Sequence, residues 1–207
     1  MPRPLLIRSE THPYHVTSRC NNKEFFSIPL MNVWDIMIYH LRQEVEDHKL
    51  AIHAFVLMSN HFHLLCHTPK GNLDQIMHRF LRSTSMHINS KRNSINHLWG
   101  GRYKWSLIES QNHYYQVYRY VYQNPVRAGL CKKVEDYPYS TLKTQTLPLH
   151  SFIPMAFGGN EGELHWLNRP FEDKYNQLIK MGLKKYKFSV SKRKELIFER
   201  FCKLEEK

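Results

Sequence analysis

KLAIHAFVLMSNHFHLLCHTP, residues Lys49 to Pro69, decides the fold. Val, Ile, Phe and Leu crowd both halves, and such side chains suit a pleated, buried surface. The run breaks only at Ser59-Asn60, two residues that favour turns. Two consecutive antiparallel strands are therefore predicted, the second opening on His61-Phe62-His63. Because successive strand side chains point to opposite faces, His61 and His63 share one face and Phe62 takes the other.

Upstream, His12 to Cys20 (HPYHVTSRC) alternates Tyr14, Val16 and Ser18 with His15, Thr17 and Arg19 before the Asn21-Asn22 turn signal, which reads as a first strand. Leu30, Val33, Trp34, Met37, Leu41 and Val45 follow at the spacing of one helix face, closing near Asp47-His48. Downstream, Leu73, Ile76, Met77, Phe80, Leu81 and Ile88 mark a second amphipathic helix, with His78, Arg79, Arg82, Lys91 and Arg92 as a basic flank. After Gly100-Gly101, Arg102 to Glu109 alternates like an edge strand. Asn112 then suits the N-cap of a third helix, His113 to Gln123, carrying Tyr114, Tyr115, Tyr118, Tyr120 and Tyr122. Pro125 disfavours helical geometry in the residue before it, so this helix is expected to stop near Asn124.

The order βαββαβα, with short loops and no Gly-rich phosphate turn, predicts an α+β fold. Its form is an antiparallel sheet with helices on it, in the ferredoxin-like or RRM-like manner, with an unrelated α+β sandwich as the alternative. Beyond Gly129 the character changes: Pro138, Pro148, Pro154 and the loop Phe157 to Gly162 precede two short helical stretches. The expected division is a main domain over 1–146 and a mostly helical, basic extension over 147–207. The extension includes Lys184 to Lys194, where six basic residues surround Tyr186 and Phe188.

Thirty Lys and Arg against eighteen Asp and Glu give a net charge of +12, which points towards a polyanionic partner, nucleic acid first and anionic lipid second. Cys20, Cys66, Cys131 and Cys202 are far apart and form no C-x-x-C pair, so neither a disulfide framework nor a zinc knuckle is indicated. Met1 to Ser9 is too short and too charged for a signal peptide, and no apolar run reaches the ~18 residues of a membrane span. A cytoplasmic protein without a membrane partner is the expectation.

Two neighbouring imidazoles can grip one cation, although His-x-His alone is a weak signal and more often marks histidines that merely hydrogen-bond. Tyr120 and Asn124 stand four apart and so share a helix face. If that face packs over the strand of His61 and His63, the Asn124 oxygen completes a three-ligand site with open positions for a phosphate, and Tyr120 lies beside the phosphorus. A phenol of pKa ~10 needs such help to attack at neutral pH. The product, a phosphotyrosine, keeps the energy of the broken phosphodiester, so a free hydroxyl end can reseal the strand. Tyr122, two residues on, faces roughly the opposite side and is the weaker nucleophile; Tyr114, Tyr115 and Tyr118 read as core packing with hydroxyls at the rim. His15, His53 and His67 read as hydrogen-bonded core histidines. Arg102, Lys104 and Trp105, with Arg79 and Arg82, interleave charge and aromatic surface as single-strand binders do, or form solvated faces. Arg127 either steadies a phosphate or caps a turn.

Tyr14-His15-Val16 with Arg19, Met58 to Leu65 (MSNHFHLL), Tyr120 to Gly129 (YVYQNPVRAG) and Asp136 to Thr141 (DYPYST) together resemble the REP-associated tyrosine transposases, over about Pro13 to Leu142. The resemblance implies a ferredoxin-like HUH endonuclease domain. In it His61 and His63 bind Mg²⁺ or Mn²⁺, Asn124 joins the metal shell, and Tyr120 attacks single-stranded DNA. It also implies a tyrosine left on the 5′ phosphate, a freed 3′ hydroxyl, and short palindromes folded as hairpins for targets. Apart from the resemblance, a monomer or a homodimer with a shared site stays open. Cys20 stands where that family often has Gly, and Ser59 where it often has Pro; neither removes a catalytic group. Two rivals stay open: a replication initiator or relaxase sharing cation and tyrosine, and a non-catalytic single-strand or RNA-binding module on the same architecture.

Overall fold

Four strands form one antiparallel sheet in the order β2-β3-β1-β4. The computed structural model describes residues 5–93, 95, 97–143, 147–149, 160–169 and 172–190. Along the chain run β1 (Tyr14–Arg19), α1 (Leu30–His48), β2 (Ala51–Leu57), β3 (His61–His67), α2 (Leu73–Lys91), β4 (Lys104–Leu107), α3 (Gln111–Arg127), α4 (Asn160–Asn168) and α5 (Asp173–Gly182). The fold class is the α+β, ferredoxin-like arrangement that the strand and helix periodicities predict.

Strand alternation sorts the side chains into two apolar layers. Tyr14, Val16, Phe62, Leu64, Cys66, Trp105 and Leu107 join the core formed with Val33, Met37 and Leu41 of α1 and Ile76, Met77 and Phe80 of α2. Ala54, Val56 and Leu65 face the other way and pack with Val117, Tyr118 and Val121 of α3, Trp166 and Leu167 of α4, and Tyr175 and Ile179 of α5. His15, Thr17, His61 and His63 fall on this second face by the same alternation. Register sets the row across it: His63 stands opposite Val56 on β2 and Thr17 on β1, and Thr17 stands opposite Lys104 on β4. A bulge between Ile52 and Ala54 takes His53 out of the ladder, and its Nδ1 lies 2.8 Å from the Tyr114 hydroxyl.

Helix α3 departs from expectation at both ends. It begins at Gln111, after Ser110 in extended conformation, and not after Asn112. It also runs through Pro125 to Arg127, where the proline predicts a stop at Asn124. Proline has no N–H, so the carbonyl of Val121 loses its partner four residues on. The Asn124 side-chain amide takes that place, Nδ2 donating to Tyr120 O at 2.7 Å and to Val121 O at 3.4 Å. The helix ends where Gly129 adopts φ +71°, a geometry costly for any residue with a Cβ.

The extension is bound to α3 and to the sheet. The Tyr118 hydroxyl donates to Glu163 Oε1 at 2.6 Å, and Gln123 Nε2 donates to Leu167 O at 2.7 Å. The fully buried Arg119 guanidinium donates to Arg169 O and lies 5.5 Å from the Trp166 ring. Residues 186–188 lie along β4, with Leu107 N donating to Tyr186 O and Phe188 N to Leu107 O, both at 2.8 Å. At the far edge, Leu57 N donates to Tyr139 O at 3.0 Å and Thr141 N to Phe55 O at 2.9 Å. The expected boundary at 146/147, Pro154, the first half of the loop Phe157 to Gly162, and residues 191–194 of the basic run lie outside the described residues. Among the described residues no helix is long and apolar enough to cross a membrane, and Cys20, Cys66 and Cys131 are free thiols.

Candidate active site

The turn at Ser59-Asn60 folds β3 back on β2, closed by Met58 N donating to His61 O at 2.8 Å. It delivers His61 and His63 to one face with ring centroids 5.1 Å apart. Each ring is engaged at Nδ1. His61 Nδ1 lies 2.7 Å from Asn60 Oδ1, and Asn60 is itself anchored by Nδ2 donating to Lys23 O at 2.7 Å. His63 Nδ1 lies 2.9 Å from His15 Nε2, inside the protein. A cation shared by the two rings therefore has to bind at Nε2.

Burial keeps these imidazoles neutral, because a low-dielectric surrounding penalises the charged form. It lowers His15 to about 3. Burial, with the Arg19 charge behind it, lowers His61 to about 4. His63 is pushed well below the usual histidine range by burial first, then by His15, His61, Arg19 and Arg127. Two neutral imidazoles, each oriented through its second nitrogen, suit a divalent ion that accepts nitrogen ligands.

Helix α3, packed over β2 and β3, brings Tyr120 to the pair. Its ring stands perpendicular to His63 at 5.9 Å between centroids and 6.4 Å from His15. Arg127, two turns on, places its guanidinium 5.3 Å from the Tyr120 ring centroid. Burial raises the Tyr120 pKa, while the Arg127 charge and hydrogen bond, then Arg19, pull it down. Asn124 is half-buried one turn beyond Tyr120; the helix carbonyls take its amide nitrogen, so the oxygen is the atom it has to offer a cation.

The structure thus brings His61, His63, Tyr120 and Arg127 together, with Asn124 one turn away. Exposed Lys104 lies on the same face, two strands from His63. Exposed Arg102 lies 5.5 Å from the Tyr103 ring. Trp105 goes to the core: 5% exposed, it packs on Tyr14 and Tyr186 and has no face to offer a base. Arg79 and Arg82 belong to α2, on the opposite side of the sheet, and Arg79 pairs with Asp47 at 2.5 Å and Glu44 at 3.4 Å. Tyr122 is buried with its hydroxyl 2.7 Å from Thr141 Oγ1, and burial raises its pKa. Two residues enter the site that the residue reading leaves outside it, His15 and Arg19. Their signal was the β1 alternation, which puts both on the face of Thr17.

The family model described as "Transposase IS200 like" matches residues 9–124. A REP-associated tyrosine transposase of Escherichia coli strain K12 is 29% identical over 96 residues, covering 46% of this chain and 56% of the relative. The chain thus spans about half the length of that curated relative. A solved structure of a REP-associated tyrosine transposase bound to a REP hairpin superposes with a TM-score of 0.62 at 17% identity, covering 83% of this chain and 93% of that one. That likeness is one of fold.

Proposed function

This chain belongs to the IS200-like transposase family, a family of DNA-cleaving and strand-transferring enzymes, and from that premise we propose that it cuts and rejoins single-stranded DNA through Tyr120. The observation that carries the reading is the Tyr120 ring set against His63 with Arg127 over it. The phenol oxygen attacks the phosphorus as the bond from phosphorus to the 3′ oxygen breaks. The phenol proton passes to solvent, and the 3′ oxygen takes one up and leaves as a hydroxyl. A 5′-phosphotyrosine remains, and attack by a 3′ hydroxyl reverses the step. Arg127 and Arg19 offset negative charge on the phenol oxygen and the phosphate. His61, His63 and the Asn124 oxygen would hold Mg²⁺ or Mn²⁺, which supplies polarisation of the phosphate when bound. The REP hairpin on the structural relative supports hairpin-forming single strands as substrates. Exposed Lys104 and Arg102 support a path for the strand across the open part of the sheet face.

The test is a covalent adduct. Hairpin-bearing single-stranded DNA incubated with the protein and Mn²⁺ gives a protein–DNA species that survives denaturation. It is lost with EDTA and with Tyr120→Phe, and kept with Tyr122→Phe. An adduct undiminished in Tyr120→Phe moves the nucleophile elsewhere. Tight, salt-sensitive binding of single strands with no adduct under any condition replaces the enzyme with a binding module.

A further inference from the structure

We propose that His15 is a positioning residue of the cation site, accepting the Nδ1 proton of His63 and so fixing the one tautomer whose Nε2 can hold a cation. The inference rests on the reading of His61 and His63 as ligands. A neutral imidazole carries one N–H and one lone pair, so the 2.9 Å contact between His15 Nε2 and His63 Nδ1 contains a single proton. If His15 donates it, the lone pair of His63 is spent at Nδ1, and Nε2 carries a hydrogen that shuts it to metal. If His63 donates it, Nε2 is bare. Only the second arrangement makes a ligand.

His61 supplies the internal comparison. Asn60 Nδ2 is committed to Lys23 O at 2.7 Å, so its oxygen is the atom turned to His61 Nδ1, 2.7 Å away. A carbonyl oxygen has no proton to give, and His61 must donate. His15 is to His63 what Asn60 is to His61. Metal-bound histidines usually give this second proton to a carboxylate or carbonyl; here a buried imidazole takes that part without adding charge. Register makes the contact: Thr17 stands opposite His63, and His15, two residues earlier on the same face, meets it diagonally across the β1–β3 ladder. His15 and His63 are 3% and 7% exposed, so solvent does not replace the acceptor readily.

Mn²⁺ alone is the probe, titrated into the full chain and followed by the electron paramagnetic resonance signal of the free ion. His15→Phe keeps the ring volume and removes the acceptor, and about 10- to 100-fold weaker Mn²⁺ binding is expected. His15→Gln, whose Oε1 can stand near the Nε2 position, restores binding close to that of the unaltered protein. Binding of a hairpin oligonucleotide in EDTA stays unchanged in both. Mn²⁺ binding by His15→Phe as tight as that of the unaltered protein, or equal weakening in both variants, overturns the assignment. Imidazole ¹⁵N resonances of the unaltered, metal-free protein give a measurement that needs no variant: a proton on Nδ1 of His63 supports the role, and one on Nε2 overturns it. Absence of both Mn²⁺ binding and adduct in the unaltered protein instead overturns the ligand reading itself, which separates the two failures.

Discussion

Three histidines in one small volume, all kept neutral, make the site sensitive to acid in a direction that can be worked out. An unfolded histidine takes up its proton near pH 6.5. In the folded protein burial lowers His61 to about 4 and His15 to about 3. Below about pH 6.5 the unfolded chain therefore binds protons that the folded one refuses, and stability falls as pH falls through that window. The melting temperature is expected to drop between pH 7 and pH 4.5, and the drop to shrink in the double variant His15→Gln, His61→Gln. A melting temperature as pH-dependent in that variant as in the parent would place the acid-sensitive groups elsewhere. At this scale the sequence was partly readable. The alternation of β3 and the four-residue step from Tyr120 to Asn124 name the central residues, because those relations are local. The partner of His63 comes from a strand 48 residues away, and no spacing rule conveys which register two strands adopt.

Among elements, α3 shows how a local rule is overridden. The residue before a proline is disfavoured in helix, yet the Asn124 side-chain amide reaches the Val121 carbonyl that Pro125 leaves open as well as Tyr120 O, and the helix gains the turn that carries Arg127 back to Tyr120. Propensity could locate the proline but not the side chain that compensates for it. Trp105 teaches the converse: alternation identifies its strand correctly, but Tyr186, which covers it, lies 81 residues on. Helix α5 ends at Gly182, where an added Cβ would meet Phe188 Cε2 at 2.6 Å. Gly182→Ala must displace that ring, whose centroid lies 4.7 Å from that of His113, and is expected to loosen 186–188 from Leu107. Overpacking of this kind costs about 1–3 kcal/mol. The expected outcome is a lower melting temperature and faster proteolysis near 183–190, with adduct formation retained; an unchanged melting temperature would show that Phe188 has room to move.

For the molecule as a whole, a net charge of +12 on two unlike layers predicts where DNA is felt. Neutralised phosphates release counterions, so the logarithm of the binding constant falls linearly with the logarithm of salt concentration, and each lost phosphate contact reduces the slope by about 1. Lys104→Gln, on the face of Tyr120, is expected to reduce that slope, whereas Arg82→Gln, on the α2 layer, leaves it unchanged. The reverse pattern in a salt titration of single-strand binding would carry the DNA to the other side of the sheet. Charge and periodicity foretold a basic α+β protein; the proposal that the α3 layer is the one to face nucleic acid came only with the packing of α3 over β2 and β3.

The segments lying along the two outermost strands have a further effect. Backbone groups at Phe55 and Leu57 on one side, and at Leu107 on the other, are already satisfied by residues of the same polypeptide. Open β-edges recruit foreign strands and seed fibrous deposits. At those positions, among the described residues, a neighbouring molecule finds no free backbone template, and strand addition there would first have to displace residues 139–141 or 186–188.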